Sequence, residues 1–264
     1  MENMKYTIGT YEQQVRQQPE VVDSPVTAAC RAALAGRKKD TRLLLDLALA
    51  LKAQFLYYEA SEVLSEILMQ YPFDERALCH RGHLYIGLRA YKQAAADFEL
   101  ALRVDPVDWD SLYHIGLCYY LMGDYQTAER YYARCYAASG NEENYTAVSD
   151  WYWLTLMHLG KIEKADAVLA AVKTDWDYGE NEIYFKRLLV YKGLSSAEEI
   201  INYARTRPPH EFCTYAYGIA YYMWAVLGEK ERAQTLIKEI VSTSGPQWGG
   251  FALQAAQAAM KRGI

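Results

Sequence analysis

The chain has little that would interrupt a helix or close a covalent framework. Only 7 prolines and 16 glycines punctuate 264 residues that are 52% hydrophobic. The stretches between them are rich in alanine, leucine, glutamate and lysine, which favour helices. The five cysteines, at 30, 79, 118, 135 and 213, include no Cys-x-x-Cys pair. Their odd number excludes a complete disulfide framework and predicts reduced thiols in a cytoplasmic protein. Positive charge is not in excess: 28 Lys and Arg against 33 Asp and Glu leave a net charge of -5. A chain of that balance has no general attraction for phosphate backbones, so no nucleic-acid partner is expected. The densest basic cluster, Arg37, Lys38, Lys39 and Arg42, reads as a solvated turn between helices. The opening MENMKYTIGTYEQQ lacks the basic start and apolar core of a signal peptide. The longest uncharged run, FCTYAYGIAYYMWAVLG from Phe212 to Gly228, is shorter than the ~20 residues a membrane span needs, so no membrane partner is expected.

The usual catalytic signatures are missing too. His210-Glu211 begins a zinc-protease-like pattern, but Thr214 stands where the second histidine belongs. There is no Gly-x4-Gly-Lys phosphate loop and no Gly-x-Ser-x-Gly elbow. The acidic pairs Glu142-Glu143 and Glu198-Glu199 fall in turns or first helical turns, where they complement the helix dipole. His80, His83 and His114, with Cys79 nearby, could approach one another across adjacent helices, but nothing in the spacing makes the rings converge. The expectation is no enzyme, no cofactor and no metal.

What is present is repetition. Ala60, Ala94 and Ala128 lie 34 residues apart, and Leu64, Phe98 and Tyr132 follow each by four. Leu78, Gly82 and Tyr85 recur as Leu112, Gly116 and Tyr119, on one helical face. Each unit is therefore two helices. Turn signals separate them at 88–91, 123–125 and 160–161, and Tyr71-Pro72 and Asp105-Pro106 end the second helix. Beyond 140 the register loosens: the matching alanines are Ala165, Ala197 and Ala233, each still after a turn signal. The stretch SGNEENYTAVSD, where the period breaks, is expected to lengthen a loop; a tilt between two halves of the array is the alternative.

The pattern of Leu78, Gly82, Tyr85, Ala94, Phe98, Ala101 and Pro106, and of Leu112, Ile115, Gly116, Tyr119, Ala128 and Tyr132, resembles the tetratricopeptide repeat. Arg81 departs from it, a charge where an apolar residue is usual, and is expected to reach solvent along its methylene stem. The resemblance implies an all-α fold, a right-handed superhelical array of antiparallel helix pairs. The expected division is a helical extension over 1–40, with helices near 5–17 and 25–36, three regular repeats over 41–140, three degenerate ones over 141–246, and a capping helix over 247–264. It implies a protein-interaction scaffold that holds an extended or helical segment of another protein on the concave, first-helix face. On that face the mapping places Arg76, His83, Tyr113, Leu117, Tyr120, Asp150, Leu154, Tyr215 and Tyr222, with Leu45, Leu49 and Lys52 in the first repeat. The family's lysine-rich clamp for a C-terminal carboxylate is not matched, because Leu45, Leu49, His83, Tyr113 and Leu117 stand there instead. Two rivals remain: self-association into a homodimer through Tyr215 to Trp224, and an all-helical enzyme using Asp110, Asp150 and Glu182.

Overall fold

A helix begins most readily where a short oxygen-bearing side chain can accept the unpaired N–H groups of its first turn. Asp40, Asp74 and Asp108 sit at such starts, again 34 apart, accepting from the amides of Leu43, Ala77 and Ser111 at 3.2, 2.9 and 2.8 Å. Asn141 repeats the device for Asn144 at 2.8 Å. A computed structural model describes residues 23–37, 39–243 and 250–264, and among these it contains fourteen α-helices and no strand. They are α1 (Pro25–Leu34), α2 (Thr41–Ala53), α3 (Tyr57–Gln70), α4 (Glu75–Gly87), α5 (Tyr91–Val104), α6 (Trp109–Met122) and α7 (Tyr125–Ala138). After them come α8 (Glu142–His158), α9 (Ile162–Ala171), α10 (Glu182–Tyr191), α11 (Ala197–Ala204), α12 (Pro209–Tyr222), α13 (Lys230–Ser242) and α14 (Phe251–Arg262). A π-helical turn, Met223–Leu227, prolongs α12. The helix expected near 5–17 and the start of the expected C-terminal helix at 247 lie outside the described residues. The chain divides into two compact units after His114.

In unit 1, α2 and α3 form one hairpin and α4 and α5 the next, with α3 packed on α4 and α1 on α2. Close approach within a hairpin depends on missing side chains. A Cβ on Gly82 would lie 2.7 Å from the Phe98 ring. Ala60 and Ala94 are fully buried at equivalent places, joined by Ala128 in unit 2. The turn between paired helices needs one residue with positive φ, and Phe55 (62°), Arg89 (59°) and Gly123 (84°), 34 apart, all supply it. Arg81 corrects its expectation. Rather than reaching solvent, its guanidinium makes a bidentate pair with buried Asp97 at 2.8 and 2.7 Å and donates to the Ser65 hydroxyl at 3.0 Å. The charge is tolerated because its carboxylate partner is built into α5.

In unit 2, α7 packs on α8, α8 on α9 and α10, α10 on α12, and α12 on α11, α13 and α14. A Cβ on Gly116 would lie 2.8 Å from the Tyr132 ring, the counterpart of Gly82 and Phe98. The break in period near 140 does not lengthen a loop. Ser139 ends α7 and Asn141 begins α8, while α8 runs to 17 residues against 14 for α6. Its first turn also does more than complement a dipole: Glu142 accepts from the Asp177 amide at 2.7 Å and Glu143 from the Glu180 amide at 3.0 Å, pinning the connection after α9. At the other end Arg262 of α14 donates to the Leu121 carbonyl at 3.1 Å and the Tyr125 hydroxyl at 2.8 Å. It thereby satisfies a carbonyl left over at the end of α6.

Candidate functional site

The first-helix faces differ between the two units. In unit 1, Arg76 is exposed, Leu49 keeps 37% of its surface open, and Lys52, Cys79 and His80 are half-buried. Beside them, His83 from α4 and Asp110 and His114 from α6 come together. His83 Nε2 lies 3.2 Å from His114 Nδ1 and 3.4 Å from Asp110 Oδ2, and His114 Nδ1 lies 3.2 Å from Asp110 Oδ1. The His114 Nδ1 also lies 2.8 Å from the Asp110 carbonyl oxygen, one helical turn before it. Phe98 floors the cluster, stacked on His114 at 5.4 Å and meeting the edge of His83 at 5.3 Å.

Burial and the neighbouring His114 hold His83 well below the usual histidine range, so its ring is neutral near pH 7. Burial also lowers His80, with Lys52 and Arg76 adding to the effect. Asp110 goes the other way. Burial opposes its ionisation, yet the adjoining His114 and His83 outweigh that cost and keep its carboxyl well below the ordinary range. Cys79 is a protonated thiol, pushed up to about 12 by burial, with its sulfur 3.7 Å from the Ser111 hydroxyl. Tyr113, the remaining candidate in this unit, is 5% exposed and stacked on Trp109 at 5.0 Å.

In unit 2 the corresponding face is filled from within. Leu117, Asp150 and Leu154 have no exposed surface, and Tyr120 and Tyr215 have 1%. The Tyr120 hydroxyl pairs with the Tyr217 hydroxyl of α12 at 2.6 Å and with His158 Nε2 at 3.2 Å. His158, between the rings of Tyr125 at 4.0 Å and Tyr221 at 4.2 Å, is lowered to about 3 by burial, with Arg262 adding to it. Tyr222 is half-buried and stacks on Tyr191 at 5.7 Å.

Asp150 faces Arg187 at 2.8 Å, both wholly enclosed. Arg187 also donates to the Tyr191 hydroxyl at 3.0 Å and the Thr214 carbonyl at 2.9 Å, joining α8, α10 and α12 at one point. Glu182, the third carboxylate of the enzymatic reading, pairs instead with Lys186 at 2.8 Å near the surface of unit 2. Sequence reasoning passed over Arg187, His158 and Arg262. The one signal for Arg187 is Gly218 in an otherwise bulky aromatic run, since a Cβ there would collide with the Arg187 guanidinium and the Tyr191 hydroxyl.

Comparison with known proteins agrees with this architecture. The tetratricopeptide repeat model matches residues 75–108 and 110–142, which are the α4/α5 and α6/α7 hairpins. No curated protein matches the sequence. A tetratricopeptide repeat protein from Parabacteroides merdae ATCC 43184 superposes with a TM-score of 0.56 at 18% identity, over 88% of this chain and 91% of that one. MamA superposes with a TM-score of 0.50 at 18% identity, over 72% of this chain and 93% of that one. At such identity the likeness is one of fold. Residues 75–108 and 110–142 therefore carry two tetratricopeptide repeats, and the same helical hairpin is built on either side of them.

Proposed function

We propose that the protein is a non-enzymatic, cytoplasmic interaction scaffold that holds an extended or helical segment of a partner protein against the first-helix face of unit 1. Tetratricopeptide-repeat proteins are in general interaction scaffolds, and no helix among the described residues is long and apolar enough to cross a membrane. The observation that carries the reading is the open face of α2 and α4. There Leu49, Lys52, Arg76 and His83 offer an apolar contact ringed by polar groups, whereas Leu117, Tyr120, Asp150 and Leu154 of unit 2 are already spent on packing. Interface energy concentrates in side chains that lose water on binding, and a residue with no water to lose contributes little. Tyr113, Tyr120 and Tyr215 therefore act by shaping the unit, and Arg76, His83 and Leu49 make the contact. Self-association through Tyr215 to Trp224 is disfavoured on the same ground, since Tyr215, Tyr217 and Tyr221 are at most 4% exposed.

The test is affinity capture with the full chain and with a Leu49→Ala/Arg76→Ala variant, the captured protein then being purified and titrated. A direct complex weakened at least tenfold by the double substitution, with unchanged helicity, is the expected result. Equal affinity for both forms would move the binding face elsewhere. A dimer at tens of micromolar in light scattering would favour self-association.

A further inference from the structure

We propose that His83, Asp110 and His114 bind one divalent transition-metal ion of the zinc class, held between α4 and α6 within unit 1. The donors are two imidazole nitrogens and a carboxylate, a set that suits zinc and its neighbours and not magnesium or calcium. Ligands placed ~2.0–2.2 Å from a tetrahedral ion stand roughly 3.3–3.5 Å from one another. Here His83 Nε2 stands 3.2 Å from His114 Nδ1 and 3.4 Å from Asp110 Oδ2, and His114 Nδ1 stands 3.2 Å from Oδ1 of the same carboxylate. The cluster is therefore already at ligation spacing, with all its donor atoms within 4.8 Å of one another.

The scaffold sets where the three side chains meet. Asp110 and His114 are one turn apart on α6, which fixes their relative direction, and His83 comes from the preceding first helix. Phe98 supports both rings from below, while Asp110 keeps 43% and His83 22% of its side chain open on the other side. Three protein ligands leave a fourth position, and it opens on the accessible side, where water or a partner's side chain can enter.

Without an ion the same contacts are held by protons. One lies between the two ring nitrogens or on His114 Nδ1, which faces the Asp110 carbonyl oxygen at 2.8 Å. When the ion takes His114 Nδ1, that proton moves to Nε2 of the same ring, which stays neutral, and the ion's positive charge takes the proton's place between the rings and the carboxylate. Lys52 is the cationic group beside the cluster and opposes the ion's charge without blocking the donors, while His80, lowered by burial and by Lys52, adds no charge there near pH 7.

The inference does not depend on the partner-binding reading, and its experiment needs no partner. Metal-free full-length protein, thiols kept reduced, is titrated with Zn2+ by calorimetry. The expected result is one ion per chain, binding weakened at least tenfold by His83→Gln and by Asp110→Asn, and unchanged by Cys79→Ser or Cys30→Ser. Mg2+ is expected to produce no saturable heat. Far-UV circular dichroism of each variant separates ligand loss from unfolding. Imidazole nitrogen NMR of the wild-type chain gives a second reading, with His83 Nε2 and His114 Nδ1 shifting on addition of Zn2+ and His80 unmoved. Absence of saturable binding, affinity indifferent to both substitutions, or loss on Cys79→Ser alone would overturn the proposal.

Discussion

Asp150→Asn is the most informative single change. In unit 2 it removes the negative charge from a pair with no solvent contact and leaves Arg187 cationic, because a guanidinium is not deprotonated in a protein. Arg187 keeps its bonds to Tyr191 and Thr214 but loses the carboxylate that faces it at 2.8 Å. Breaking a buried pair from one side costs about 3–5 kcal/mol, against a whole-domain stability of roughly 5–15 kcal/mol. Replacing both partners, Asp150→Leu with Arg187→Met, removes both desolvation penalties and is expected to cost much less than the two single changes summed. The assay is urea unfolding followed by tryptophan fluorescence, since Trp151 and Trp153 are both buried on the same helix as Asp150. A loss below about 1 kcal/mol for Asp150→Asn, or single effects that simply add, would refute the structural role. Partner capture abolished at unchanged stability would return Asp150 to a binding face.

Three further outcomes follow from the geometry. Gly218→Ala places a methyl group on the Arg187 guanidinium and Tyr191 hydroxyl, and overpacking there is expected to cost about 1–3 kcal/mol in urea unfolding; a neutral result would mean that α12 can move away. Gly160→Ala has open space at φ 66° and should lose only the left-handed backbone preference, about 1–2 kcal/mol, whereas Gly123→Ala at φ 84° also meets the Arg262 guanidinium at 2.7 Å and should lose more; equal losses would show that the Arg262 anchor is dispensable. His158, lowered to about 3 by burial, binds its proton more weakly folded than unfolded, so it destabilises unit 2 as pH falls from ~6.5 towards about 3, and His158→Gln should flatten that part of the stability profile.

The hairpins were legible because one packing problem is solved the same way each time. Ala60, Ala94 and Ala128 occupy equivalent buried places, and the two glycines admit Phe98 and Tyr132. The aspartate series Asp40, Asp74 and Asp108 carries the same 34-residue period and marks the helix starts in the sequence itself. The length of α8 was not legible, since three extra residues fit a helix or a loop with the same local preferences. Nor was Asp150 with Arg187, two residues of a drifting register whose meeting depends on the angle between α8 and α10. Spacing states which side of a helix aligns with the next, but is silent on whether a later helix comes back to cover it.

That silence decides how the 24 tyrosines are understood. An amphipathic ring is at home in an interface, and equally in a core if its hydroxyl finds a partner there. Unit 2 supplies the partners: Tyr120 meets Tyr217 and His158, Tyr191 meets Arg187, and Tyr125 meets Arg262. Tyr191 meets Arg187 within α10, but the bonds of Tyr120 and Tyr125 each join two helices at a fixed distance, so these two tyrosines act as spacers between helices. In unit 1, where the period is strict, small residues set the spacing, and Leu49, Lys52 and Arg76 of the first-helix face remain available to water. A regular repeat thus leaves a surface that a partner or an ion can use, and an irregular one consumes it in holding itself together.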